Sequence, residues 1–282
     1  MIRWSTALSF ALVLAGCQGD PVAAPATDAA ATDAATTDVG ADAPGETAAD
    51  AGLPPGVSLR DGCPTGRGPE MANLGTFCMD RTEVTRSNFN QFLGDVAGRP
   101  EWPAGCGSPS YPAARADFGD HPATNVTFCE AQVYCRWAGK RLCGARAGGS
   151  QTVASALTAT SMWTFACWGG ETARAYPYGE AYQRTSCLGE RLAGTSPGTV
   201  AVNLAATGCR SAIEPFRQVI DLSGGVGEWE DACSTSDVTG ACRVRGGSWN
   251  DMEPTALRCD GPRTEPKGSR LDDVGFRCCY QP

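Results

Sequence analysis

The chain has 282 residues, 42% of them hydrophobic, and a formal net charge of −8. Seven carboxylates between residues 18 and 59, with no Lys or Arg beside them, carry most of that charge and leave the remainder near neutral, which argues against nucleic-acid binding and strong electrostatic steering. Fifteen cysteines, one histidine (His121) and no C-x-x-C spacing exclude an ordinary zinc module and point to an oxidising compartment.

In chain order, Arg3 and the apolar run Ala7–Leu14 come first, too short a run to span a bilayer as a helix. Leu14-Ala15-Gly16-Cys17 then has the pattern of a bacterial lipoprotein signal: residues 1–16 are removed and Cys17 becomes an acylated N-terminus. This predicts a lipid-anchored protein of the cell envelope, in the outer membrane because Gln18 rather than Asp follows the cysteine. Residues 17–59, rich in Ala, Thr, Asp and Pro and free of aromatics, cannot bury enough apolar area to order themselves and read as a disordered tether. Residues 60–282 form the folded domain. With Cys17 set aside, 14 cysteines remain between Cys63 and Cys279, an even number that allows up to seven disulfides.

Thr85 reads as an N-cap for a helix carrying Phe89, Phe92, Leu93 and Val96 on one stripe and ending near Gly98. Thr127 and Glu130 form a capping-box pattern ahead of Ala131, Tyr134, Cys135 and Ala138, with Gly139 placed to stop the helix. Cys129 and Cys135 lie about 240° apart around that helix and cannot pair with each other. A third helix is expected over Thr158–Cys167, with Trp163 and Ala166 buried. Short strands are expected at Val219–Leu222, Cys242–Arg245 and Gly275–Cys279. Locality suggests the disulfides Cys187–Cys209 and Cys233–Cys242.

Six blocks then occur in a fixed order: FCMDRTEVTRSNFNQFL (Phe77–Leu93), HPATNVTFCEAQVYCRWAGKRL (His121–Leu142), YPYGE (Tyr176–Glu180), LSGGVGEW (Leu222–Trp229), RVRGGSW (Arg243–Trp249) and VGFRCC (Val274–Cys279). Together they resemble the formylglycine-generating (sulfatase-modifying factor) enzyme family. The resemblance implies an α+β, C-type-lectin-like fold, loop-rich and disulfide-bonded, with bonds Cys135–Cys278 and Cys167–Cys259.

Active members of that family carry two cysteines shortly after the GGS-aromatic block. Here Asn250–Arg258 reads NDMEPTALR and holds none, with Asp251 near the first lost position. Carboxylates and amides supply neither soft copper ligation nor disulfide exchange, so copper is not expected. The resemblance marks Trp229, Ser248, Trp249, Asp251 and Arg258 as a candidate pocket; the plainer alternative makes Trp229 a core anchor and Ser248 a turn residue. Glu228 with the carbonyls of Gly224 and Val226 is a candidate calcium site, the ligands being hard oxygens. The expected function is a binding or structural module with an unknown protein or glycan ligand. The alternatives are an enzyme of the family with non-thiol chemistry, or a formylglycine-generating oxidase.

Overall fold

A computed structural model describes residues 52–189, 201, 209–251 and 253–282. The expected signal, Cys17 and most of the acidic segment lie outside the described residues. The elements run β1 (Ser58–Arg60), β2 (Cys63–Thr65), β3 (Met71–Asn73), β4 (Cys78–Asp80), α1 (Arg86–Gly94), α2 (Phe128–Trp137), β5 (Arg141–Leu142) and α3 (Met162–Trp168). They continue with β6 (Gly227–Cys233), β7 (Ala241–Arg245), β8 (Thr264–Pro266), β9 (Val274–Phe276) and β10 (Cys278–Tyr280). Among the described residues, β1 and β2 form a hairpin, and two four-stranded sheets have the orders β3-β4-β10-β5 and β8-β7-β6-β9. All pairs are antiparallel except β6 with β9.

Both long helices start where local side-chain chemistry dictates. Thr85 Oγ1 accepts from the Asn88 amide and the Asn88 side chain accepts from the Thr85 amide, which satisfies two orphan donors of α1. In α2 the Glu130 carboxylate accepts from the Thr127 amide at 2.8 Å, while Thr127 Oγ1 accepts from the Glu130 amide at 3.2 Å. Arg270 then clamps Glu130 through both carboxylate oxygens, at 2.7 and 2.8 Å. The expected end of α1 is corrected: the helix stops at Gly94, and Val96 is 68% exposed rather than on the buried stripe. Asp95 caps it, donating its amide to the carbonyls of Gln91 and Phe92. α2 ends at Trp137 with Ala138 as its cap, and Gly139 follows with a φ of +70° that suits glycine; a Cβ there would lie 2.9 Å from Val57.

The third helix starts later than the pattern suggests. Residues Ser155–Leu157 form a 3₁₀ turn, and Ser161 caps α3 by accepting from the Thr164 amide. Val219–Leu222 is not a strand. Asp221 has φ +61°, which no pleated strand admits, and only Ile220 forms an isolated bridge, with Arg210. The expected strand Gly275–Cys279 is two strands in different sheets: β9 joins β6, and β10 joins β4 and β5. The chain changes sheets at Arg277, which is fully buried and donates to the carbonyls of Asp80 and Ile220 as well as to Glu228.

Two apolar cores flank this crossover. On one side α1 and α2 pack Phe89, Phe92, Tyr134 and Trp137 against Phe276 and Trp229. On the other, Trp163, Phe165 and Met162 of α3 meet Met79, Phe77, Leu222 and Phe216. Burying each such ring is worth about 1.5–3 kcal/mol. Seven disulfides tie the layers: Cys63–Cys78, Cys106–Cys129, Cys135–Cys278, Cys143–Cys279, Cys167–Cys259, Cys187–Cys209 and Cys233–Cys242. The adjacent pair Cys278 and Cys279 sends one bond to α2 and the other to the residue after β5, so β10 is pinned from two directions.

Candidate functional site

The GGS-aromatic turn is built by two glycines with left-handed backbones. Gly246 has φ +82° and Gly247 has φ +64°; a Cβ on Gly247 would lie 2.6 Å from the Ala256 carbonyl. The turn delivers Ser248, fully buried, into a polar knot. Asp251 accepts from the Ser248 amide at 2.7 Å and from its hydroxyl oxygen at 3.0 Å, and Asp273 stands 3.0 Å from the same hydroxyl. Arg263 closes the knot, donating to both oxygens of Asp273 at 2.8 and 3.3 Å and to Glu265 at 3.0 Å. Ser248 thus meets two carboxylates and no imidazole. Fully buried and held between the two carboxylates, the hydroxyl ties the turn to Asp251 and Asp273.

The other candidate residues divide around this knot. Trp249 docks its amide on the Gly225 carbonyl at 2.9 Å, and its indole is buried with Nε1 lacking a hydrogen-bond partner. Trp229 does not join them. Its Nε1 donates to the Val126 carbonyl at 2.9 Å and its ring meets Phe128 edge-on, which makes it an anchor of the α2 core. Arg258 points to the rim, paired bidentately with Asp260 at 2.7 and 2.9 Å. Beside it lie Tyr176, Tyr178 and Tyr182; the first two rings stack 5.3 Å apart at 3°, and Tyr176 donates to the Pro254 carbonyl. Sequence reasoning missed these tyrosines and the part played by Asp273 and Arg263. YPYGE stands in the sequence as a block, but nothing local says that Tyr176 and Tyr178 lie beside the loop holding Arg258.

No thiol is free at this site. Asp251 lies near the position where the resemblance expects the first ligand cysteine, and Cys259 is bonded to Cys167. The residues present do not fit a soft metal ion.

The proposed calcium grouping needs correction. Glu228 is buried, and its two oxygens accept from Arg277 at 2.6 and 2.7 Å, one of them also from Trp163 Nε1 at 2.8 Å. A calcium ion held with the Gly224 and Val226 carbonyls would have to displace Arg277 and strand a buried guanidinium. The donor set therefore does not fit calcium. Glu83 and Asp221 crowd the same arginine, and burial, with Asp221 next, pushes Glu83 well above the usual carboxylate range.

The match that decides the lineage is long: residues 43–282 fit the family described as "Sulfatase-modifying factor enzyme 1-like domain". The chain belongs to that family. Its fold is the α+β, C-type-lectin-like fold of the formylglycine-generating type. A curated relative from Bos taurus, "Inactive C-alpha-formylglycine-generating enzyme 2", is 27% identical over 173 residues, 56% of this chain. The match spans about half of that relative's own length. Among solved structures, Treponema denticola variable protein 1 aligns with a TM-score of 0.50 at 14% identity, covering 80% of this chain and 98% of that one. PvdO from Pseudomonas aeruginosa aligns with a TM-score of 0.50 at 17% identity, covering 73% and 80%. These structural likenesses speak to the fold alone.

Proposed function

We propose that this chain is a family member without oxidase activity, displayed on the cell envelope by a lipid on Cys17 and acting there as a binding module. The observation that carries the first part is Asp251. Where copper chemistry needs an exchangeable thiol, a carboxylate is tied to the amide and hydroxyl of Ser248. Asn250–Arg258 supplies no second thiol, and Cys259 is held by Cys167. The similarity to a vertebrate relative named as inactive supports the same reading.

The binding role is supported by what surrounds the knot. Trp249 and Tyr176 are buried; the half-buried rings of Tyr178 and Tyr182 near the Arg258–Asp260 pair, with that arginine, are aromatic and arginine groups of the kind enriched at recognition surfaces. The ligand class is a protein or glycan of the envelope.

Two measurements test this reading. Mass analysis of the native N-terminus should find a diacylated or triacylated Cys17, and an intact Met1 would refute the anchor. Pull-down from solubilised envelopes should recover a ligand that Arg258→Ala and Trp249→Ala release. Equal recovery by all three proteins would refute the binding face.

A further inference from the structure

A cavity of about 520 Å³ lies between the start of α1, the residues after β4 and the stretch 210–220. Its size falls within the range of about 300–1,000 Å³ usual for small-molecule sites. Four charged side chains line it: Glu70, Arg81, Asp120 and Arg210.

Two of the four are engaged with each other. Arg81 Nη1 lies 3.4 Å from Glu70 Oε2, and Arg81 Nε reaches the Gln218 carbonyl at 3.4 Å. The other two are not engaged. Arg210 is half-buried, and its Nε is enclosed with no acceptor. Among the described residues its guanidinium makes no hydrogen bond and no ion pair. The Asp120 carboxylate, exposed on the same cavity, has neither among those residues. A guanidinium carries five N–H donors in a fixed fork that matches a carboxylate. Half-buried and unbonded, this one has lost part of its hydration with no protein acceptor to replace it.

Backbone contacts hold both groups in place. Arg210 follows Cys209, which is bonded to Cys187, and it bridges to Ile220, whose amide donates to the Arg81 carbonyl at 2.9 Å. Asp120 sits between Gly119 and His121. Their carbonyls accept from the Ser87 and Arg86 amides of α1, at 2.8 and 2.9 Å. The open cation is thus tied to the residues after β4 and the open anion to α1, both positioned before any ligand arrives.

This arrangement selects by charge. A simple anion pairs with Arg210 but meets the carboxylates of Asp120 and Glu70, and a simple cation meets the guanidinia of Arg210 and Arg81. A ligand with one charge of each sign satisfies both open groups. We infer that this cavity binds a small zwitterion, a free α-amino acid or a short peptide with open ends. The ligand carboxylate accepts from Arg210, and its ammonium donates to Asp120. The exposed Gln218 side chain, next to the Glu70–Arg81 pair, supplies an amide for the polar groups between the two charges. This assignment is independent of the loop face around Trp249, and its failure leaves that reading intact.

The test is calorimetry on the full chain with glycine, alanine, diglycine and triglycine. Beside them run N-acetylglycine, which keeps only the anion, glycinamide, which keeps only the cation, and inorganic phosphate. Arg210→Gln and Asp120→Asn each remove one charge at nearly constant size, and circular dichroism confirms that each variant folds. The expected result is saturable binding of at least one zwitterion, about tenfold tighter than any of the three controls. Either substitution should weaken it about tenfold, the effect of losing one charge-assisted hydrogen bond. Absence of saturable binding by all four zwitterions, equal binding of any control, or undiminished binding by either folded variant would overturn the inference.

Discussion

Removing the disulfides of β10 one at a time and together distinguishes a coupled clamp from two independent staples. Cys135–Cys278 and Cys143–Cys279 close sequence separations of 143 and 136 residues. Taken separately, loop-closure entropy assigns each about 5 kcal/mol. They are not separate, because each leaves the other's loop already closed. With Cys143–Cys279 intact, the path from Cys135 to Cys278 runs only to Cys143 and back through Cys279, about ten residues, which lowers the expected loss to about 2.7 kcal/mol. The converse holds for Cys143→Ala with Cys279→Ala. Once both are gone, the remaining constraint is Cys167–Cys259, and the newly freed path is about 45 residues, worth a further 4 kcal/mol or so. Each paired-alanine variant should therefore lose about 2.7 kcal/mol, and the four-alanine variant about 7, more than the sum of the two. Urea unfolding by circular dichroism under non-reducing conditions measures this, and the single losses correspond to about 5–10 °C in melting midpoint. Losses near 5 kcal/mol for each bond alone, adding simply in the combined variant, would refute the coupling.

Other outcomes follow from the buried charges. Burial pushes Glu230 up to about 7, against the pull of Arg245 and the hydrogen bond from Ser161. Because the folded value lies above the unfolded one, its contribution is complete below the unfolded value near 4.5 and is lost as pH rises through about 7, about 3 kcal/mol in all. Glu230→Gln should flatten that part of the pH–stability curve; a slope unchanged from the parent would contradict it. Millimolar calcium should leave the melting midpoint where it was, since Arg277 already occupies Glu228, and a rise of several degrees that EDTA reverses would show that the site accepts the ion. Thr127→Ala should lose about 1 kcal/mol through the cap of α2, and a neutral result by urea titration would disprove the cap's contribution.

The sequence was most legible where the determining chemistry is local. The Thr85 and Thr127 caps and Gly139 each act within one helical turn, and all three mark helix ends in the structure. The strands are mostly three residues long, too short to show an alternating pattern, so β1–β5 and β8 left no signal. Arg277 misled for a different reason: inside GFRCC it looks like one residue of a continuous strand, whereas its burial against Glu228 is what moves the chain between sheets. In the site, Ser248 and Asp251 lie three residues apart and could be associated from sequence. Asp273 and Arg263 join them only because β8, β7, β6 and β9 align in one sheet. The cavity at Arg210 draws on the residues after β4, the start of α1, the turn at Asp120 and the stretch 210–220, and no local pattern announces it.

The central claim, that this family domain has exchanged oxidase chemistry for another use of the fold, is tested most directly by a turnover assay. The full chain, supplied with Cu(I), oxygen and a cysteine peptide of the sulfatase type, should yield no aldehyde by mass spectrometry after hydrazide trapping. Asp251→Cys should stay silent as well, because Asn250–Arg258 offers no partner thiol and Cys259 is bonded to Cys167. Catalytic formation of formylglycine by the unaltered chain would contradict the account.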